Sequence, residues 1–197
     1  MTIKVIAEIG SVHDGSYGNS KKLIDLAKNC GADIVKFQYH IAEFESMKNA
    51  VSPSYFNDEK RFDYFTRTSF TLTQWRGLIN YSKRKKIEFL CSIFSIEAFK
   101  NLLSLGVKSF KIPSGEVTNL PLLEEISRYK KIRIFLSTGM SNMSEIEKAY
   151  NILKRNSLII MQCTSLYPCP NNMVGINVID EFKKKFKNCQ IGFSDHT

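Results

Sequence analysis

The sequence lacks any uninterrupted run of about 18 apolar residues, the minimum for a membrane-spanning helix. Its first ten residues, MTIKVIAEIG, hold one lysine and an apolar run too short for the core of a secretory signal. With 43% hydrophobic residues, the chain has enough apolar material for one globular domain with a substantial core. We therefore expect a single cytoplasmic domain over residues 1–197, without a membrane partner.

Close cysteine pairs of the CxxC type are also missing. The cysteines are odd in number, five in all, and Cys163 and Cys169 are separated by an irregular spacing that is atypical of zinc sites. Free thiols in a reducing compartment are the simplest interpretation.

A glycine-rich GxGxxG segment does not follow the first apolar run, which argues against a dinucleotide-binding fold. Instead, seven short apolar runs alternate with segments of helical periodicity, a pattern that predicts a parallel sheet covered by helices. The runs lie at 3–10, 34–38, 88–94, 109–115, 133–139, 158–165 and 190–196. An open doubly wound sheet and a closed barrel both fit this alternation.

Polar residues gather at the C-terminal end of nearly every predicted strand. In a (β/α)8 barrel these ends converge on one mouth, where the active site lies, whereas in an open sheet they would spread along an edge. This distribution favours an incomplete (β/α)8 TIM barrel with seven strands and six helices. We interpret residues 41–70, which are rich in polar and aromatic side chains, as a long functional or mobile loop.

Local signals place two of the helix starts. Asn119 is a suitable N-cap, with Pro121 in the first turn, and Ser144 and Glu147 have the spacing of a capping box. We expect the corresponding helices to begin at these positions.

The net charge of +9 would allow a nucleic-acid partner. The lysines nevertheless lie mainly in helical segments without interleaved aromatic residues, so we expect solvated helix faces and no nucleic acid as partner. Lys36 and Lys111 differ because they lie inside apolar strands, where an unpaired ammonium is costly. They either form internal salt bridges, to Glu8 or Glu116, or face an anionic substrate.

Small hydroxyl residues close several strands and would surround such an anion. They are Ser92, Ser114, Ser137 and Thr138, and two of the strands are followed by Gly115 and Gly139. Glycines at these positions would let backbone N–H groups approach the ligand. Together these residues predict an anion cradle.

His196 ends the last predicted strand, in the sequence IGFSDHT. Taken alone, it is a metal ligand, a general base or a capped core residue. Because side chains alternate along a strand, Ser194 should share its side, whereas Asp195 should not.

Several of these segments together resemble the N-acetylneuraminate (sialic acid) synthase family, which includes the legionaminic and pseudaminic acid synthases. The segments are AEIGSVHDGS, GADIVKFQ, FKIPSGEVTNLPLL, STGM, QCTSLYPCP and GFSDHT, in this order. The resemblance implies a barrel enzyme that condenses phosphoenolpyruvate with an N-acylated amino sugar such as N-acetylmannosamine. A divalent metal, Mn²⁺ or Mg²⁺, would polarise the sugar aldehyde, and full-length members would be homodimers.

The resemblance also implies roles for individual residues. Phosphoenolpyruvate and the sugar would be bound by Lys36, Ser92, Lys111, Ser114, Ser137, Ser165, Tyr167 and Ser194. His196 would be a metal ligand and a catalytic residue, and Asp14 would stand where members carry a catalytic glutamate or an asparagine. The family's second metal-binding histidine, on an eighth strand, and its C-terminal antifreeze-like domain would follow residue 197.

Two other interpretations stay open at this point. The chain could be a non-catalytic fragment that keeps an anion site, and phosphoenolpyruvate binding without turnover would support that. Alternatively, Lys36 or Lys111 could be the nucleophile of a Schiff-base aldolase, which borohydride trapping of a substrate adduct would reveal.

Overall fold

A computed structural model describes residues 3–51 and 59–197 of the chain. The chain divides into two compact units, Met1–Val107 and Lys108–Thr197. In the described residues of both units, none of the helices is long and apolar enough to cross a membrane.

The first unit contains three strands and five helices within its described residues. In chain order these are β1 (Ile6–Gly10), α1 (Tyr17–Asn29), β2 (Ile34–Tyr39), α2 (Ala42–Glu45), α3 (Arg61–Thr68), α4 (Leu72–Arg84), β3 (Glu88–Ile93) and α5 (Ile96–Ser104).

All strand pairs of the first unit are parallel, and β2 lies between β1 and β3. Glu8 is the register partner of Lys36, and Gln38 is the register partner of Ser92. The β1–β2 register shifts between Glu8 and Gly10, and Gly10 has a φ of +52°. The bulge therefore lies beside the polar residues at the ends of these strands.

Aromatic side chains fill the core of the first unit. The indole of Trp75 contacts Phe37, Tyr39 and Phe70, with ring centroids 5.0–6.0 Å apart. Trp75 and Phe37 are almost completely buried, so α4 is fixed against β2 by a large apolar contact.

The second unit contains four strands, three α-helices and two 3₁₀ turns. In chain order these are β4 (Ser109–Ile112), a 3₁₀ turn (Ser114–Glu116), α6 (Leu120–Ser127), β5 (Arg133–Ser137), α7 (Met143–Leu153), β6 (Ser157–Cys163), a 3₁₀ turn (Asn171–Met173), α8 (Val178–Lys185) and β7 (Gln190–Ser194).

Strands β4 to β7 pair in parallel and in chain order. Their apolar residues, together with one face of each helix, form a core whose members are less than 5% exposed: Phe110, Ile112, Leu122, Leu123, Ile126, Ile134, Leu136, Ile146, Leu153, Ile160 and Phe182. Because both faces of a parallel sheet are covered, the sequences of these strands are continuous apolar runs and do not alternate between apolar and polar residues.

The seven strands confirm the predicted number, but the prediction of six helices is wrong, since the described residues contain eight α-helices. The two extra helices, α2 and α3, lie in the segment 41–70 that was predicted to be a loop. Neither has a side-chain N-cap, and the mixture of charged and aromatic residues hides their apolar side. The part of that loop prediction that concerns residues 52–58 lies outside the described residues.

The prediction for the start of α6 is confirmed, because the Asn119 side chain accepts a hydrogen bond from the Leu122 amide. The prediction of a capping box at Ser144 and Glu147 is wrong. The box is formed two residues earlier, where Asn142 Oδ1 accepts from the Glu145 amide at 3.0 Å and Glu145 Oε2 accepts from the Asn142 amide at 2.8 Å. Both pairs have the i, i+3 spacing, and asparagine caps a helix as well as serine does.

We expect the substitution Asn142→Ala to lower the free energy of unfolding by about 1 kcal/mol, because it removes the oxygen that caps α7. Urea denaturation measures this change. Ser144→Ala, two residues later on an exposed position, is the matched control and should change the free energy by less than about 0.5 kcal/mol. A larger loss in Ser144→Ala than in Asn142→Ala would contradict this assignment of the cap.

Candidate functional site

Lys36 is the centre of a polar cluster in the first unit. Its side chain is 6% exposed and forms a salt bridge with Glu8, its register partner on β1, whose side chain is 46% exposed. On the other side, Lys36 Nζ donates to Ser92 Oγ at 3.4 Å. The structure thus brings together Lys36 and Ser92, as predicted, and it also shows the internal salt bridge that was the alternative interpretation.

A second chain of contacts continues from Glu8 in the same unit. Gln38 Nε2 donates to Glu8 Oε1 at 3.5 Å, and Gln38 Oε1 lies 3.1 Å from His40 Nε2. His40 Nδ1 lies 2.8 Å from Glu45 Oε1. An added Cβ on Gly10 would stand 3.2 Å from Glu8 Oε1, so a glycine here leaves room for this carboxylate.

His13 and Asp14 lie in the turn after β1. His13 is 2% exposed, and its Nδ1 accepts a hydrogen bond from the Gly15 amide at 3.1 Å. Burial lowers the pKa of the imidazole from 6.5 to about 4, although the neighbouring Asp14 carboxylate partly opposes this shift. His13 is therefore neutral at physiological pH, with its ring proton on Nε2.

Asp14 adopts a left-handed backbone conformation, with a φ of +49°. Its carboxylate pairs with the Arg67 guanidinium of α3 at 2.8 Å, and Arg67 also binds Glu59. The predicted catalytic carboxylate is thus tied to α3, an interaction that the sequence pattern did not suggest.

The second unit contains the other lysine cluster. Lys111 is 8% exposed, and its Nζ donates to Ser194 Oγ at 3.2 Å. Burial lowers the pKa of the ammonium, and the nearby Cys163 thiol only partly offsets this effect. A buried cation next to a hydroxyl and a thiol is poorly neutralised and would gain from an anionic ligand.

Two serines of the second unit, Ser114 and Ser137, belong to the predicted anion cradle. Ser114 Oγ accepts from the Gly139 amide at 3.1 Å and lies 3.7 Å from Cys163 Sγ. Ser137 is 1% exposed, and within the described residues its Oγ has no hydrogen-bond partner. A buried hydroxyl left unsatisfied is costly, so Ser137 is suited to donate to a ligand.

Other hydroxyl groups of this unit have structural roles or close contacts. Thr138 Oγ1 donates to the Met161 carbonyl at 3.0 Å, so this predicted member of the cradle is used internally. An added Cβ on Gly139 would lie 2.6 Å from Ser165 Oγ and 2.8 Å from the Cys163 carbonyl. Only glycine allows Ser165 and the β6 backbone to approach Gly139 this closely.

His196 is held by backbone and aromatic contacts of the second unit. Its Nδ1 donates to the Thr164 carbonyl at 2.8 Å, which leaves the Nε2 lone pair to accept from the Tyr167 hydroxyl at 3.2 Å. The Asp195 carboxylate instead accepts from the amide and hydroxyl of Thr197, which lowers its pKa.

The His196 imidazole has the tautomer that a metal ligand needs, because the Thr164 carbonyl holds the proton on Nδ1 and leaves the lone pair on Nε2, where it now accepts from Tyr167. Within residues 3–51 and 59–197, however, no group of three or more His, Cys, Asp or Glu side chains is arranged to hold a metal ion. The described residues therefore contain an imidazole of suitable tautomer but not a complete metal centre.

Sequence reasoning missed His40 and Glu45 in the first unit and Arg67 near Asp14. His40 was detectable, because it follows Gln38 at the i, i+2 spacing that places two side chains on the same face. Glu45 and Arg67 lie in the segment that was predicted to be a loop, where no periodicity indicated their contacts.

We expect the free energy of unfolding to decrease as the pH falls from 6.5 to about 4, because the unfolded chain then binds a proton at His13 that the folded chain does not. The contribution of this residue is at most about 3 kcal/mol. Urea denaturation over this pH range, with His13→Asn as the reference, measures it. Asparagine can keep the acceptor for the Gly15 amide but does not titrate, so the variant should show a smaller pH dependence. Identical slopes in both proteins would contradict the neutral, buried state of His13.

The sequence profile of the NeuB family matches residues 23–197. The N,N'-diacetyllegionaminic acid synthase of Campylobacter jejuni is 40% identical over 203 aligned positions, which cover 98% of this chain and 60% of the relative. The human N-acetylneuraminate-9-phosphate synthase is 34% identical, and the match covers 98% of this chain and 55% of the relative.

Solved structures give the same result. The N-acetylneuraminic acid (sialic acid) synthetase of Leptospira borgpetersenii, crystallised with citrate, superposes with a TM-score of 0.88 and 28% identity over 100% of this chain and 66% of that protein. The spore coat polysaccharide biosynthesis protein SpsE of Bacillus subtilis superposes with a TM-score of 0.84 and 30% identity over 99% of this chain and 53% of that protein.

These matches confirm the predicted fold class, a (β/α)8 barrel of which this chain has seven strands. The chain spans 60% and 55% of the lengths of the two synthases named above. A family profile that covers most of the chain, together with the agreement in fold, shows that the chain belongs to the NeuB family.

Proposed function

We propose that this chain provides the phosphoenolpyruvate-binding part of a sialic-acid-type synthase. In the proposed reaction, C3 of phosphoenolpyruvate forms a bond with the aldehyde carbon of an open-chain N-acylated amino sugar. Water adds to C2, the C2–O bond to phosphate breaks, and a nine-carbon 2-keto acid and inorganic phosphate are released. The names of the matched relatives support this class of product.

The main structural support is the poorly neutralised Lys111 in the second unit. Its ammonium is buried beside Ser194, and the Ser137 hydroxyl is buried without a partner among the described residues. Binding a phosphate or carboxylate would neutralise the cation and give the hydroxyl an acceptor, so an anion is the class of ligand that this unit favours.

The first unit offers an anion contact of its own at Lys36. Because Glu8 already pairs with this lysine, an incoming anion has to share the ammonium with that carboxylate. An ammonium has three N–H donors, so Lys36 can keep its contacts to Glu8 and Ser92 and still donate to a ligand. Ser92 Oγ, at 3.4 Å from Lys36 Nζ, would then hold the ammonium in place.

Asp14 is the proposed acid–base residue on the sugar side. Its carboxylate accepts from Arg67, which leaves lone pairs for a substrate hydroxyl or water. Aspartate is one methylene shorter than glutamate, so the substrate would have to approach the turn at residues 11–15 closely.

A divalent metal is part of this proposal, with His196 as one ligand through Nε2. When bound, it would act as a Lewis acid on the sugar aldehyde. The remaining ligands would be water, substrate oxygens or groups outside the described residues. The cytoplasmic location and the homodimer remain predictions.

We expect phosphate release from phosphoenolpyruvate in the presence of N-acetylmannosamine and Mn²⁺, and a loss of about 100-fold or more in kcat/KM in Lys111→Met. The thermal stability of this variant should not fall, because methionine removes a buried charge. Lys108→Met, at an exposed position just before the same strand, is the matched control and should keep full activity.

Other outcomes of the assay would distinguish the alternatives. Binding of phosphoenolpyruvate without turnover in the folded wild-type chain would support a non-catalytic anion-binding protein. A borohydride-trapped substrate adduct on Lys111 would support a Schiff-base aldolase, because a lowered lysine pKa also favours that chemistry.

We expect Mn²⁺ affinity to fall by about 10-fold or more in His196→Ala, because the proposed site loses a direct ligand. Electron paramagnetic resonance of free Mn²⁺ measures binding without any turnover. Tyr167→Phe keeps the ring against His196 and removes only the hydroxyl, so it should keep most of the affinity. Unchanged Mn²⁺ binding in His196→Ala would remove His196 from the proposed metal site.

A further inference from the structure

We propose that His40 is a positioning residue that orients the Lys36 ammonium through Gln38 and Glu8. The proposal rests on the function proposed above, in which Lys36 binds an anionic group of phosphoenolpyruvate. It concerns residues of the first unit alone, and it assigns a role to two side chains, His40 and Glu45, that the function does not otherwise use.

The His40 ring is fixed between two aromatic side chains. Its centroid lies 3.7 Å from that of Phe65 with an interplanar angle of 6°, and 4.0 Å from that of Phe94 with an angle of 25°. Phe65 belongs to α3 and Phe94 follows β3. Stacking on both faces leaves only the ring edge for polar contacts, so the two nitrogens can form hydrogen bonds only in the plane of the imidazole.

The direction of each hydrogen bond follows from Glu8. A carboxylate only accepts, so Gln38 has to direct its NH₂ group to Glu8 and its carbonyl oxygen to His40. That oxygen also only accepts, so His40 Nε2 has to carry a proton and donate. The hydrogen bonds therefore all run in one direction, from the imidazole through the amide to the carboxylate.

Glu45 holds the other edge of the ring. Its side chain is 3% exposed, and its Oε1 lies 2.8 Å from His40 Nδ1. Within the described residues, its Oε2 has no hydrogen-bond partner. A carboxylate buried in this way depends on the imidazole as its partner, so the His40–Glu45 contact is costly to break.

The effect on Lys36 comes from the two oxygens of Glu8. One accepts from Gln38, and the other pairs with the Lys36 ammonium. The half-exposed Glu8 side chain would be free to rotate without the Gln38 contact, and the ammonium would lose a fixed partner. His40 thus connects α2 and α3, through Glu45 and Phe65, to the orientation of Lys36.

Two substitutions at His40 separate hydrogen bonding from packing. His40→Phe keeps the aromatic stack but cannot donate, whereas His40→Gln gives up the stack but places an N–H donor near the position of Nε2. If His40 acts through the hydrogen bonds, the KM for phosphoenolpyruvate should rise about tenfold in His40→Phe and much less in His40→Gln. The value of kcat and the KM for the amino sugar should change less than about twofold.

The opposite order, or equal losses in both variants, would overturn the proposal and assign His40 a packing role. Glu43→Gln, an exposed acid on the same helix as Glu45, is the matched control and should leave all constants unchanged. Because His40→Phe leaves Glu45 without its partner, the double variant His40→Phe/Glu45→Leu removes that charge. It should fold and show the same increase in KM, and a wild-type KM in it would also overturn the proposal.

A readout without turnover separates this inference from the proposed function. The chain has three histidines, so ¹⁵N-histidine spectra are simple to assign by substitution. His40 Nε2 should show a bonded proton, and its signal should shift in Gln38→Leu while those of His13 and His196 stay in place. An Nε2 without a proton, or a signal indifferent to Gln38→Leu, would overturn the hydrogen-bond chain. Turnover missing from a wild-type protein with the expected spectrum would instead count against the proposed function.

Discussion

The cost of placing an ammonium group inside an apolar parallel strand is the constraint around which the polar residues of both units are arranged. Strands β2 and β4 are covered on both faces, so Lys36 and Lys111 have little access to water. The two lysines meet this cost differently. Lys36 pairs with a carboxylate, whereas Lys111 lies next to the Ser194 hydroxyl and the Cys163 thiol.

This difference indicates how each lysine would respond to an anion. A ligand near Lys36 shares the ammonium with Glu8, so the gain in free energy from binding is smaller because the charge is already partly neutralised. At Lys111 an anion would neutralise an ammonium group whose pKa is already lowered by burial. An anion bound at Lys111 would therefore gain more electrostatic free energy than one bound at Lys36.

Much of the fold was predictable because it is encoded locally. Apolar runs of strand length and the Asn119 cap depend on neighbouring residues, and these predictions are confirmed. Helices α2 and α3 were missed because neither has a side-chain cap. They are instead stabilised by tertiary contacts such as the stacking of Phe65 on His40. The position of a lysine within a strand predicted that it needs a partner, but only tertiary structure could show that Glu8 supplies it.

The same distinction explains what the sequence could say about His196. Its place at a strand end predicted a polar role, but the choice among ligand, base and core residue depends on what each ring nitrogen meets. The Thr164 carbonyl lies 2.8 Å from Nδ1 and can only accept, so the proton is held there and the lone pair is on Nε2. A backbone carbonyl has no charge to titrate and cannot rotate away as a side chain can. The tautomer that a metal ligand would require is therefore set by the fold of the second unit.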